Sequence, residues 1–564
     1  MSQSQISGSQ ALMRAFVAEG VETIFGYPGG AIMPVYDALY DFHDKMRHIL
    51  VRHEQGAVHA AQGYSRVTGK TGVVIVTSGP AATNVITGVA DAMIDSTPMV
   101  VVCGQVVASL LATDAFQETD VVGITQPITK WSYQIRSAAE IPWAVARAFY
   151  IAREGRPGPV VLDLTKNAQI ELMNFHYEPC TFIRSFIPTP PIDEQAVSDA
   201  AALINQAKKP FALVGQGVIL GNAENELLAM LEKAQIPAAW TLLGLSAMPT
   251  DHPLNKGMLG MHGNYACNIK TNECDVLIAI GMRFDDRVTS KLATYAKQAK
   301  VIHFDIDIAE INKNVKADVA VLGNSKETIA AVTKQLQPAR HDEWIASFDS
   351  YAKIEHDEVI KEEVDPSTPD IKMGEVIRKV SEVTGHKAIC VTDVGQNQMM
   401  GARYFQFSQT RSMVTSGGLG TMGFGLPAAI GAKIGAPHRT VCLFCGDGGI
   451  QMTIQELGTI LQENIGVKII VLNNHFLGMV RQWQEMFFDE RYSFTNMKNP
   501  DFVALAKAYG IHGKSVSTHE ELDQAIAEMV SNDDAYLLEV QIEPKGMVLP
   551  MVPAGADITD VRLK

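Results

Sequence analysis

The chain has 564 residues, of which 47% are hydrophobic and 19% charged, and its formal net charge is −15. That length exceeds one ordinary hydrophobic core and implies about three domains. The acidic balance, with no basic run, excludes nucleic acid and an anionic membrane surface as expected partners.

The N-terminus lacks a basic flank followed by a long apolar run, so no signal peptide is expected. No apolar stretch reaches the roughly 18 residues of a spanning helix. Seven cysteines without framework spacing suit a reducing compartment. A cytoplasmic protein is the expectation.

Along the chain, residues 10–19 have helical character. Continuous apolar runs rich in β-branched residues follow at 73–77, 99–103 and 159–164. Residues 184–196 are proline-rich and read as a linker. A helix is expected over 197–206, then apolar runs at 211–214, 276–280 and 301–305. Residues 353–375 are charged and then Pro/Ser/Thr-rich, and read as a second linker. Runs at 389–393, 441–445 and 468–472 and a helix over 502–509 complete the pattern. Short continuous runs suit strands buried on both faces, and their alternation with helices predicts α/β domains with mainly parallel sheets. The expected domains are 1–184, 190–345 and 365–545, followed by a tail over 546–564. An echo between "VVIVTSGPAATN" and "MVTSGGLGTMGFG" suggests that the first and third are related.

Three local patterns bear on chemistry. Gly418-x-Gly420-x-x-Gly423 formally matches the dinucleotide fingerprint. The first acidic residue beyond it, however, is Asp447, inside its own glycine turn, which disfavours a nicotinamide site. His53-Glu54 with His59 lacks the His-Glu-x-x-His spacing of a metal pair. Cys442 and Cys445 lie three apart on a predicted strand, so their side chains point to opposite faces and make no redox or zinc pair. The most specific signal is the run 441–445 ending in Gly446-Asp447-Gly448, followed after one crossover by the run 468–472 ending in Asn473-Asn474. Both strand ends open at one carboxyl edge, where Asp447 and Asn474 present two hard oxygen ligands suited to Mg²⁺. The glycines admit a diphosphate to the backbone N–H groups.

A GDG turn followed by NN at this spacing resembles the thiamine-diphosphate enzymes. Over nearly the full length the chain is similar to the catalytic subunits of the acetohydroxyacid synthase (acetolactate synthase) family. The matching stretches include "FGYPGG" (25–30), "VRHEQGAVHAAQGYSR" (51–66), "TSGPAATN" (77–84), "DAFQE" (114–118), "GMRFDDRV" (281–288), "TDVGQNQM" (392–399) and "LNNHFLGMVRQWQ" (472–484). The resemblance implies the thiamine-diphosphate-binding fold. It also implies decarboxylation of pyruvate and transfer of the two-carbon unit to a second pyruvate or to 2-oxobutyrate.

By the same resemblance, Glu54 is the carboxylate that bonds to the cofactor's pyrimidine, Gln117 faces the reacting carbon, and Phe116 beside it lines the same pocket. Lys166 matches a family lysine, although Thr165 stands where the family has proline. Met422 props the cofactor into its bent shape. Gly29, Pro80, Asn84, Gly395, Gln396, Asn397, Gly420, Gly448, Gly449, Asn474 and Met479 complete the thiamine diphosphate set. Asn397 replaces a common histidine and Gly449 a common serine, each removing one side-chain contact. Asp447, Asn474 and the Phe476 carbonyl hold Mg²⁺. Arg283, Met479 and Trp483 bind the second keto acid. FAD falls to the middle domain, with Arg156, Gly215, Gln216, Gly217, Met261, His262, Gly263, Gly281, Arg283, Asp285, Arg287, Asp305, Ile306, Gly323 and Asn324, and does no net redox work in the main reaction. A homodimer or dimer of dimers with interfacial sites, and a separate small regulatory subunit, are further implications.

Overall fold

The apolar runs become strands of three six-stranded parallel sheets in a computed structural model that describes residues 5–564. The first sheet comprises β1 (Thr23–Gly26), β2 (Arg47–Leu50), β3 (Gly72–Val76), β4 (Met99–Gln105), β5 (Trp131–Ile135) and β6 (Pro159–Thr165), in the order β2-β1-β3-β4-β6-β5. The middle sheet comprises β7 (Pro210–Val214), β8 (Ala238–Trp240), β9 (Asn255–Met258), β10 (Val276–Ile280), β11 (Lys300–Asp305) and β12 (Val319–Leu322). Its order, β9-β8-β7-β10-β11-β12, is the doubly wound arrangement whose direction reverses between β7 and β10.

The third sheet comprises β13 (Ile389–Thr392), β14 (Met413–Val414), β15 (Val441–Gly446), β16 (Lys468–Asn473), β17 (His512–Val516) and β18 (Tyr536–Gln541). Its order is β14-β13-β15-β16-β18-β17, the same topology as the first sheet. The sequence echo thus reflects a repeated fold. Cys442 and Cys445 on β15 are buried in the packing layers on opposite faces of this sheet.

Six helices position the sites: α1 (Glu54–Thr68), α2 (Pro80–Asn84), α3 (Ile86–Ile94), α4 (Gln396–Tyr404), α5 (Gly425–Gly435) and α6 (Gly478–Phe487). Helix α1 of the first domain packs along α5 of the third. Apolar residues of the middle and third domains, from Val214 and Met248 to Phe405 and Phe444, form one continuous core. The first domain keeps its own packing layers on the two faces of its sheet. It meets the middle domain through polar contacts of Arg156, whose guanidinium donates to Asp307 (3.2 Å) and Glu310 (2.7 Å).

The charged part of 353–375, read as linker, is helical: helix Asp342–Glu355 continues through a π-helical turn, His356–Ile360, into Lys361–Val364. Within this charged stretch Glu355 is buried and pairs with Arg403 at 2.5 Å, while its carboxylate also accepts from Asn264 and Tyr265. Lys353 and Asp357, one turn apart, add a 2.7 Å pair on the exposed side.

Candidate active site

The first group of candidates gathers at the carboxyl edge of the first sheet. Glu54 is the first residue of α1, behind His53, whose Nδ1 accepts the Gln55 N–H and caps the helix. The Glu54 carboxylate accepts from the Asn84 amide at 2.9 Å, which fixes it beside the end of α2. Pro80 opens α2, and Gly79 before it (φ +61°) lies so close to Gln117 that a Cβ would stand 2.9 Å from the glutamine Cβ. Gln117 itself has φ +59°, an uncommon conformation for a non-glycine residue, typical of functional turns. Phe116 beside it is 88% exposed. Gly29 packs on Thr77, where a Cβ would meet the threonine methyl at 2.4 Å.

Lys166, at the end of β6, is exposed, and among the described residues no ion pair or side-chain hydrogen bond joins it to this group. Thr165 is buried and donates to the Ile135 carbonyl at 2.9 Å, so the strand end accommodates it without strain. His59 is buried within α1 between Gln55 and Gln62, and burial pulls its pKa down to about 3.

The second group sits at the carboxyl edge of the third sheet. Gly446 pairs with Leu472, so Asp447 and Asn474 emerge from neighbouring strand ends. Asp447 accepts from Asn499 at 2.6 Å, and burial raises its pKa above the ordinary carboxylate value, a cost that a divalent cation bound there would offset. The Asn474 side-chain oxygen accepts the Phe476 N–H at 3.0 Å, and its amide donates to Gln396 at 3.3 Å. A carboxylate, an amide oxygen and a backbone carbonyl are the hard donors that suit Mg²⁺. Gly448 is cradle-like: a Cβ there would stand 2.7 Å from Leu477 and 3.9 Å from the Met422 methyl.

The departures at Asn397 and Gly449, like that at Thr165, have physical reasons. The Asn397 amide donates to the carbonyls of Asp393 (2.8 Å) and Phe444 (3.0 Å), splinting the ends of β13 and β15. A Cβ at Gly449 would come within 2.5 Å of the Asp393 carboxylate, so a serine would force Asp393 to move. Asp393 is itself committed, accepting the N–H groups of Gly423 and Gly425.

The glycine-rich turn is held from the first domain. Asp95, just beyond α3, accepts the N–H groups of Gly417 (2.8 Å) and Gly418 (2.7 Å) with its two oxygens. Arg66 on α1 pairs with Asp95 at 2.7 Å and donates to the Thr415 carbonyl. Asp91 accepts the Ser416 hydroxyl at 2.5 Å, and Ser416 in turn accepts the Thr421 N–H. The first N–H groups of the turn are therefore already occupied and do not face a pyrophosphate. Gly395 (φ +139°) and Gly420 (φ +70°) take conformations that only glycine adopts easily. Asp91, Asp95 and Asp393 were not among the sequence candidates; each acts on a partner distant in sequence, and although Asp393 lies within the 392–399 stretch, no local pattern assigns a role to any of the three.

A cavity of about 840 Å³ runs from the switch point of the middle sheet to the glycine turn. That volume lies within the roughly 300–1,000 Å³ of cofactor and ligand sites. Gln216, Gly217, Gly281, Arg283, Asp285, Arg287, Asp305, Ile306, Gly323 and Asn324 line it, with Met261, His262 and Arg156. The ends of β7 and β10 approach so closely that a Cβ on Gly217 would stand 2.6 Å from the Gly281 Cα, leaving bare backbone at the reversal of strand order. Gly215 and Gly263 support the walls without lining the space: a Cβ on either would strike the backbone of Gly281 or of Leu259. Burial pushes Asp305 up to about 6 and pulls His262 down to about 4, where His262 also contacts the Pro550 carbonyl. The same cavity receives Gly395, Gly420 and Met422 and joins Arg283, Met479 and Trp483. A bare glycine backbone at the switch point and charged groups along the walls fit a dinucleotide such as FAD.

The sequence agrees with this architecture domain by domain. The N-terminal TPP binding domain of the thiamine pyrophosphate enzymes matches residues 6–124, their central domain 197–332 and their C-terminal TPP binding domain 393–540. The acetolactate synthase large subunit of Lactococcus lactis is 45% identical, over 97% of this chain and 95% of its own length. The isozyme 2 large subunit of Escherichia coli is 45% identical over 99% of both chains. The large subunit of Parasynechococcus marenigrum is 46% identical over 98% of this chain and 90% of its own. With three thiamine pyrophosphate domains in this order and near-full-length relatives at this identity, the chain belongs to the acetolactate synthase large-subunit family.

Proposed function

We propose that this chain, as a thiamine-diphosphate-dependent acetolactate synthase, decarboxylates pyruvate and joins the two-carbon unit to a second pyruvate or to 2-oxobutyrate. The products are 2-acetolactate or 2-aceto-2-hydroxybutyrate with CO₂, which places the enzyme in branched-chain amino acid biosynthesis. The observation that carries the reading is the pairing of Asp447 and Asn474 at adjacent strand ends beside the Met422–Gly448 cradle.

Thiamine diphosphate, when bound, supplies the thiazolium carbon that accepts the two-carbon unit. Asp447, Asn474 and the Phe476 carbonyl would hold Mg²⁺ against its diphosphate. The Glu54 carboxylate, oriented by Asn84, would hold a proton at the pyrimidine nitrogen. Gln117 would donate a hydrogen bond to the developing alkoxide. Arg283 would take the carboxylate of the acceptor keto acid, with Met479 and Trp483 bounding its side chain. FAD would occupy the cavity at the middle-sheet switch point.

The reading includes a site shared between two copies of the chain. Within one chain the cofactor turn is anchored at Arg66, more than three turns along α1 from Glu54, or about 18 Å at 1.5 Å per residue. That separation supports a Glu54 supplied to the turn of a second copy. A homodimer or dimer of dimers, a separate small regulatory subunit, a cytoplasmic location and domain limits near 184–190 and 345–365 belong to the same proposal. No helix among the described residues is long and apolar enough to cross a membrane.

The test is a product assay with pyruvate as sole substrate. Acetolactate formed without stoichiometric oxygen uptake, by a yellow protein, is the expected result. Acetyl phosphate, or acetate with peroxide, would assign the flavin a redox task and overturn the reading.

A further inference from the structure

Gln482 lies on α6 between Met479 and Trp483, yet unlike them it is fully buried. Its side-chain oxygen accepts the Val548 N–H at 2.8 Å and the Gln396 amide at 3.0 Å. Its own amide donates to the Val548 carbonyl at 3.1 Å. Gln396 donates in addition to the Gly546 carbonyl, accepts from Asn474, and packs so tightly on Gly478 that a Cβ there would meet it at 2.2 Å. The start of α6 is thereby tied through one amide network to the backbone beyond residue 545. A second tie reaches the far end of the helix: Arg562 stacks over Phe487, whose ring packs against Trp483 at 5.1 Å.

We propose that Gln482 is a positioning residue for acceptor choice: anchored on the tail backbone at Val548, it sets where Trp483 stands and so the preference for 2-oxobutyrate over pyruvate. This rests on the reading that Trp483 bounds the acceptor's side chain. The amide satisfies three buried hydrogen bonds that no apolar side chain replaces, so its loss frees α6 from its anchor. One methylene is discriminated by roughly 10- to 200-fold in a well-formed pocket, and a loosened wall forfeits part of that.

The experiment measures the ratio of 2-aceto-2-hydroxybutyrate to 2-acetolactate with both keto acids present, in wild type, Gln482→Met, Trp483→Leu and the double variant. Methionine nearly conserves volume and keeps the packing while removing every hydrogen bond. Gln482→Met is expected to lower the ratio about three- to tenfold, Trp483→Leu to lower it further, and the double variant to equal Trp483→Leu alone. A Gln482→Met ratio equal to wild type while Trp483→Leu lowers it overturns the inference, as do effects that multiply. A Trp483→Leu ratio equal to wild type overturns the acceptor-pocket reading itself, and the inference with it. Should Gln482→Met not accumulate as soluble protein, Gln482→Glu, which keeps both accepted bonds, is measured instead. About a twofold fall supports the inference and an unchanged ratio overturns it.

Discussion

Gly63 on α1 and Gly431 on α5 lie against each other's helix backbones. A Cβ on Gly63 would stand 2.0 Å from the Ala428 carbonyl oxygen, and one on Gly431 would stand 1.7 Å from that of Ala60. The contact is reciprocal, each glycine following by three positions the alanine that the other glycine touches. It is what lets helices of the first and third domains approach backbone to backbone. Gly431→Ala gains about 1 kcal/mol of helix propensity. Overpacking against a carbonyl that cannot yield costs about 3 kcal/mol or more, so net destabilisation is expected. A lowered urea midpoint checks it, and an unchanged midpoint would show that the helices separate at little cost.

Glu54→Gln should keep the fold and the affinity for thiamine diphosphate while losing most turnover, because the amide no longer holds the pyrimidine proton. Exchange of the cofactor C2 proton, followed by NMR, reads this directly. Exchange near the wild-type rate would remove Glu54 from that role.

Asp447→Ala should raise the concentrations of Mg²⁺ and of thiamine diphosphate needed for half-saturation together, since one ion bridges protein and diphosphate. The readout is cofactor binding at limiting Mg²⁺. Unchanged affinity there contradicts the ligand assignment.

Asp95→Asn places an amide donor against a backbone N–H and breaks the Arg66 pair, loosening the turn that carries Gly420 and Met422. Hydrogen bonds to a charged group contribute about 1.5–3 kcal/mol, so the half-saturating thiamine diphosphate concentration should rise about tenfold or more. Titration monitored by intrinsic fluorescence measures it. A rise of less than twofold would mean the turn keeps its shape without the clamp.

Subunit mixing tests the shared site. Glu54→Gln and Asp447→Ala chains are each nearly inactive, but a mixed dimer carries both lesions in one site and neither in the other. Statistical exchange at equal amounts makes half the dimers mixed, so activity should recover to roughly a quarter of wild type, as site counting on a two-fold dimer requires. No recovery, with subunit exchange established by mass spectrometry, would place each site within a single chain.

The strands were legible because a buried parallel strand is apolar without interruption, as Val276–Ile280 and Val441–Gly446 are. Asp447 and Asn474 were legible as a pair because their spacing fits one crossover. Edge strands such as Arg47–Leu50 and His512–Val516 are half polar and give no such run. Glu355 reads as one charge among many until Arg403 is seen against it, 48 positions away. Asp95 reads as an unremarkable helix end until Gly417 and Gly418 close on it, and Gln482 as a polar helix residue until the tail covers it. Partners remote in sequence leave no periodic trace, whereas burial on both faces of a strand does.

The continuous core shared by the middle and third domains has a consequence for how the chain is made. The third domain is also the one that the first grips through the glycine seam, so both earlier domains present unfinished faces to it. It leaves the ribosome after both of them. Until residues beyond about 430 emerge, apolar surface of the middle domain and the seam face of α1 lie bare, the condition under which nascent chains aggregate or recruit chaperones. Once complete, the third domain binds its neighbours into a single cooperative unit. Truncations from the C-terminus should therefore cost the solubility of the whole chain rather than release two independent folded domains.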